Sequence, residues 1–226
     1  MATGASGTSR SGGSSTRSVD ELWLDVLQQV SARTAHELKG ALNGVSVNLE
    51  VVRSRSTRAD AAAAAVAPFA ASAADQLDAV VDMTEALLRL ARPPREPEDI
   101  GDTIDCLTSL LAPSARAEGG SLRVEAPSRD VAVLAIRPHG NVARLLVGAA
   151  LLAALSRKGD IRCRVEAGED AVVSVECADA EGPIELPADV LAAAAGADIR
   201  VHCEGQSISM AFPRASTARH RTPERA

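Results

Sequence analysis

Residues 31–44 read Ser31-Ala32-Arg33-Thr34-Ala35-His36-Glu37-Leu38-Lys39-Gly40-Ala41-Leu42-Asn43-Gly44. At about 100° per residue, Leu27, Thr34, Leu38, Leu42, Val45, Leu49 and Val52 gather within roughly a third of a helical circumference. That is the stripe of a core-facing helix. His36 points almost directly away from it. Gln29, Ala32, Arg33, Gly40 and Asn43 share its outward face. The imidazole therefore stands on a rigid helix, with Ala32 and Gly40 one turn to either side, where a partner can come close.

Working outward, residues 1–18 are mostly Gly, Ser, Thr and Ala. They predict a disordered leader, because such a segment cannot bury enough apolar surface to order itself. Asp20 is a predicted helix cap, and the helix should run to about Arg55. After a polar turn, a second helix is expected from about Ala61 to Ala91. Phe69, Ala73, Leu77, Val80, Thr84, Leu87 and Ala91 recur there at spacings of three and four. Pro68 should kink that helix or mark its true first turn. Arg92-Pro93-Pro94-Arg95-Glu96-Pro97 ends it. Two long amphipathic helices joined by a short turn form an antiparallel hairpin over 19–94. One hairpin has too little interior for both stripes, so pairing with a second copy into a four-helix bundle is expected.

Beyond the prolines the pattern changes, and 95–213 is expected to be a second domain. Asp99 to Ala117 reads as a shorter amphipathic helix stopped by Gly119-Gly120. Leu122 to Glu125 and Val131 to Ile136 read as strands. Asn141 to Ser156 is a strongly apolar helix. Strands are expected at Ile161 to Ala167 and Val172 to Cys177, then a short helix from Pro187 to Ala195. A last hairpin, Ile199 to Cys203 with Ile208 to Phe212, closes the set. Six strands and three helices make an α/β sandwich, with the helices on one face of a mixed sheet. Residues 214–226 predict a disordered basic tail. The whole chain is α+β.

Composition narrows the function. Of 226 residues 46% are hydrophobic and only 1% aromatic, so Ala, Val and Leu must fill the core. A net charge of −6 argues against nucleic acid as partner. No apolar run is long enough to span a membrane, and no secretory signal is visible. Cys106, Cys163, Cys177 and Cys203 form no CxxC pair, and the histidines and cysteines show no zinc spacing. A cytoplasmic protein with reduced cysteines is the expectation.

The segment His36-Glu37-Leu38-Lys39-Gly40-Ala41-Leu42 resembles the phosphoacceptor box of bacterial sensor histidine kinases. In that family the box lies on the first helix of a dimeric hairpin that precedes an α/β ATP-binding domain, and the order of elements from Glu98 to Pro213 is similar. Three features depart from the family. Its ATP site uses an Asn-rich helix, whereas here the run is Gly148-Ala149-Ala150-Leu151-Leu152-Ala153-Ala154, with no carboxylate or amide to bind metal. Its Asp-x-Gly-x-Gly segment is reduced to Asp179-Ala180-Glu181-Gly182-Pro183. Its glycine-rich lid, which would cradle phosphates, is missing before Pro187.

The combination resembles the ChpT-type histidine phosphotransferases, which pair a phosphoacceptor hairpin with a degenerate kinase-like domain. The resemblance implies a phosphorelay in which His36 takes a phosphoryl group from one receiver aspartate and passes it to another. Glu37 would orient or deprotonate the ring. Arg33 and Lys39 would attract the acidic receiver or the phosphoryl oxygens, while Gly40 and Asn43 would form part of the docking face. It implies no cofactor of the chain's own, since the receiver domain brings magnesium. Response-regulator receivers, an upstream hybrid histidine kinase and a second copy of the chain are the implied partners. As ordinary side chains, Glu37, Arg33 and Lys39 equally suit a solvated surface. A divergent kinase that still binds ATP, and a non-catalytic dimeric adaptor that sequesters a response regulator, are the alternatives.

Overall fold

Ser18 starts the fold. Its hydroxyl accepts from the Glu21 amide at 3.2 Å, and the Glu21 carboxylate accepts from the Ser18 amide at 2.7 Å. This capping box satisfies two of the amide donors that a helix start leaves open. The N-cap thus lies two residues before the expected Asp20 cap. The computed structural model describes residues 17–57, 63–94, 97–125, 135–136, 141–178 and 180–215. The rest of the leader and nearly all of the tail lie outside them.

Helix α1 spans Val19–Ser56. After a single 3-10 turn at Ala63–Ala65 comes α2, Ala67–Ala91, with Pro68 in its first turn, where its missing N–H costs nothing. The two helices pack along one another. Where they cross, Gly44 lies so close to Gln76 that a Cβ would fall 2.5 Å from the amide group. Asn48 Nδ2 donates to Ser72 Oγ at 3.1 Å and to Gln76 Oε1 at 3.3 Å, which pins the register.

The α/β part follows. It comprises β1 (Glu98–Asp99), α3 (Ile100–Ala117), β2 (Ser121–Glu125), β3 (Ala135–Ile136), α4 (Val142–Leu155), β4 (Asp160–Ala167), β5 (Asp170–Cys177), α5 (Ala188–Gly196), β6 (Arg200–Glu204) and β7 (Ser207–Pro213). Five strands form one sheet in the order β2-β4-β5-β7-β6. Only β2 and β4 are parallel, so the sheet is mixed. The strand expected at Val131 to Ile136 is described only at Ala135–Ile136. It lies outside that sheet and pairs with β1, which had no sequence signal. Along β4, β5 and β7 the pattern alternates: Ile161, Cys163, Val165, Ala171, Val173, Val175, Ile208, Met210 and Phe212 are buried. Arg162, Glu176 and Ser209 take the other, wetter face, as expected for a sheet covered on one side.

The hairpin stands on this helical layer. Leu22, Trp23, Val26, Val30 and Thr34 of α1 are buried against α3 and α4. Every residue of α4 except Ala153 is buried, because the helix is enclosed by the sheet below and α1 above. At Gly148 an added Cβ would fall 2.6 Å from Val26 Cγ1, so glycine is what lets α1 approach. The expected apolar stripe is therefore split. Its lower part faces the chain's own second layer, while Leu42 and Leu49 remain 48% and 53% exposed. On α2, Met83, Ala86 and Leu90 are buried, and Leu77, Val81 and Leu88 are exposed.

A buried charge fastens the seam. Arg144, on α4, pairs with Glu98 at 2.7 Å and also donates to the carbonyls of Leu90 and Arg92 at 3.1 and 2.6 Å. Thr103 Oγ1 donates to the same Glu98 oxygen at 2.9 Å. The guanidinium thus caps the open carbonyl end of α2 from a different helix.

Candidate functional site

His36 lies on α1 half a turn beyond Thr34, the last buried residue of that helix. Thr34 is fixed by its hydroxyl, which donates to the Val30 carbonyl at 2.9 Å. The turn that carries His36 is therefore held from below while the imidazole itself is exposed. It opens onto a groove of about 580 Å³ between α1 and the end of α3. Gln29, Ala32, Arg33, His36 and Glu37 form one wall, and Ser114, Ala117 and Glu118 the other.

Three of the six expected site residues come together here: Arg33, His36 and Glu37. Arg33 Nη1 donates to Glu118 Oε1 at 3.0 Å, with both side chains about one-third exposed. Glu37 is half-buried on the groove wall. Lys39, Gly40 and Asn43 lie further along α1, exposed and outside the groove. A Cβ at Gly40 would meet nothing within 4 Å, so the glycine leaves open space one turn from the imidazole. The α3 wall had no counterpart in the sequence reading. Nothing local to Ser114-Ala115-Arg116-Ala117-Glu118 points to α1, because that contact is set by how the hairpin seats on α4.

The helix expected to line a nucleotide site, α4, has its polypeptide face against Trp23 and Val26 of α1. Between β5 and α5 the chain is short, and Ala180, Ile184 and Leu186 are buried in the core. The Ile184 amide donates to the Gly205 carbonyl at 2.8 Å. Asp179 lies outside the described residues, as do His139 and His220. His202 is exposed on β6, beside Glu204 at 3.4 Å.

A second cavity, of about 370 Å³, lies where α2 meets α3, between Arg89, Arg92, Asp102, Cys106 and Arg144. Burial pushes the Cys106 thiol up, against the pull of nearby Arg89. Asp105 is raised by burial and by Asp102. Cys163, deep in β4, is pushed up to about 12 by desolvation alone, so it packs as a small hydrophobe and not as a nucleophile. Among the described residues, no helix is long and apolar enough to cross a membrane.

No protein-family model matches the chain, and no curated protein matches it either. Among solved structures it is similar to the blue-light activated histidine kinase of Erythrobacter litoralis EL346, at 19% identity and a TM-score of 0.38, over 62% of this chain. The chain spans 55% of the length of that protein. It is similar to the separate histidine kinase domain from the same source at 17% identity and a TM-score of 0.39, covering 83% of this chain and 94% of that one. Histidine kinase AdeS of Acinetobacter baumannii gives 11% identity and a TM-score of 0.39, covering 79% and 98%. Overlaps at such scores assign neither family nor activity, and the case for His36 stands on its own geometry.

Proposed function

We propose that the protein is a histidine phosphotransferase of a two-component phosphorelay, with His36 carrying the phosphoryl group between receiver aspartates. The observation that carries the reading is an exposed imidazole on a helix turn anchored from below, facing an open groove. Neutral imidazole is a good nucleophile near pH 7. Its free ring nitrogen attacks the phosphorus of an aspartyl phosphate. The N–P bond forms, the P–O bond to the aspartate breaks, and the carboxylate leaves with the electron pair. The other ring nitrogen then gives up its proton to Glu37 or to solvent. Transfer to a second aspartate is the same exchange reversed. Positioning dominates such chemistry, and the receiver domain supplies its own magnesium.

The α/β part, in this reading, has lost ATP. The apolar, α1-covered helix α4 and the short, core-packed 180–187 segment support that. The exposed Leu42 and Leu49 on α1, with Leu77, Val81 and Leu88 on α2, support a homodimer through the hairpin. Lys39, Gly40 and Asn43 extend the docking face for a receiver, charged upstream by a hybrid histidine kinase.

The test compares wild type with His36→Gln, both sized by light scattering, using receiver domains charged with radiolabelled phosphate. Wild type should take up acid-labile, base-stable label as a dimer. His36→Gln should remain a dimer, lose about 0.5 kcal/mol of stability or less, and accept at least a hundredfold less label. Label on the variant at the wild-type level overturns the reading.

A further inference from the structure

Among the described residues lining the His36 groove, Arg33 is the one guanidinium, and it is already engaged. It sits three residues before His36 on α1, so the two side chains are neighbours on the helix surface. Yet its guanidinium reaches across to Glu118, the C-cap residue of α3. The other titratable groups lining the groove are Glu37 and His36 itself. Arg116, also in the last turn of α3, donates back to its own helix at the Ala112 carbonyl, 3.4 Å away. The groove thus holds one guanidinium and two carboxylates. An anion placed on His36 has Arg33 beside it on the groove side, while Lys39, three residues after His36, lies outside the groove.

We propose that Glu118 is a positioning residue that keeps Arg33 in reserve, and that phosphorylation of His36 draws Arg33 off Glu118 onto the phosphoryl oxygens. This rests on His36 being the phosphoacceptor. The physics favours the exchange. A phosphoryl group carries close to two negative charges where the carboxylate carries one, and the planar guanidinium fork matches its oxygens. The bridge it replaces is only partly shielded from water, where ion pairs are weakly held. Arg33 already reaches Glu118 at 3.0 Å, and by helical spacing it neighbours His36 on the same groove wall. The charge on His36 is then read by the second layer: once Arg33 leaves, the end of α3 loses its ion pair to α1. That end is a run of turn hydrogen bonds, Glu118 to Ser114, Gly119 to Arg116 and Gly120 to Ala115, and its amides can report the loss.

Phosphoramidate, a small-molecule donor that needs no partner protein, charges the full chain directly. His36→Gln serves as the blank for label on other histidines. Hydrogen exchange is followed at the amides of 118–120, with and without charging. In wild type, charging should speed exchange about threefold. Glu118→Gln and Arg33→Gln should each show that faster exchange before charging and no further change after it. Glu118→Gln should also be charged about threefold faster than wild type, and this gain should vanish in the double variant, because Glu118 acts only through Arg33. Glu118→Asp, which can rebuild the bridge, should restore the response. Label on His36 with wild-type exchange unchanged overturns the proposal, as does a Glu118→Gln gain that persists without Arg33. Equal label on wild type and His36→Gln instead overturns the phosphoacceptor reading itself.

Discussion

The Arg144–Glu98 pair lies within the α/β part and reaches the hairpin through the Leu90 and Arg92 carbonyls, whereas the Arg33–Glu118 pair spans directly from the hairpin to α3. Arg144–Glu98 lies at the foot of α2, with both side chains 9% exposed and further hydrogen bonds from Arg144 to two carbonyls and from Thr103 to Glu98. Arg33–Glu118 lies at the His36 turn, with side chains 34% and 35% exposed and, among the described residues, no third partner on the Glu118 carboxylate. The chemistry is the same and the settings are opposite. A buried, fully bonded pair is costly to break, because either half left alone is an uncompensated charge. An exposed pair exchanges readily with water or another anion. The molecule is thus riveted at its base and only latched at its candidate site.

The largest effect should come from breaking the rivet. Arg144→Ala or Glu98→Ala is expected to cost about 3–5 kcal/mol in urea unfolding. Replacing both by leucine should recover much of that, since the penalty lies in the orphaned charge. Single-variant losses below about 1 kcal/mol would erase the contrast between the two bridges.

A middling effect is expected at the seam beside the rivet. Gly148→Ala places a methyl against Val26. Overpacking costs about 1–3 kcal/mol, and better helix propensity returns about 1 kcal/mol. Destabilisation of up to about 2 kcal/mol should result, shrinking towards zero in a Val26→Ala background. Simple additivity between the two substitutions would mean that the helices do not meet there.

The smallest effect belongs to the latch. A double-mutant cycle over Arg33→Gln and Glu118→Gln should give a coupling of about 0.2–1 kcal/mol in thermal unfolding, falling as salt is raised. A coupling as large as that at Arg144, or one indifferent to salt, would make the two bridges alike.

What the sequence disclosed follows the range of each interaction. The hairpin helices, α3, α4 and most strands were legible because their signals repeat every two or three to four residues. The outward set of His36 was legible for the same reason. Ser18-x-x-Glu21 carried a capping-box signature that Asp20 masked, two cap-forming residues lying two positions apart. Arg144 is the single charge in an apolar helix and drew no reading from the sequence, because its partner Glu98 is 46 residues away. Glu118 meets Arg33 across 85 residues. Strand β1 is two residues long, too short for any period to show. The split of the α1 stripe was hidden for another reason. Periodicity tells that a face is covered and not by what, and here α3 and α4 cover part of it.

The length of α1 has a mechanical consequence. Its 38 residues make a rod of about 57 Å at 1.5 Å per residue, clamped from Leu22 to Thr34. The remainder, Ala35 to Ser56 braced by α2, is a cantilever of roughly 33 Å. In a loaded cantilever the root moves least and carries the greatest bending moment. His36 and the Arg33–Glu118 contact sit at that root. A protein that grips the free tip therefore levers on the latch while the imidazole keeps its place.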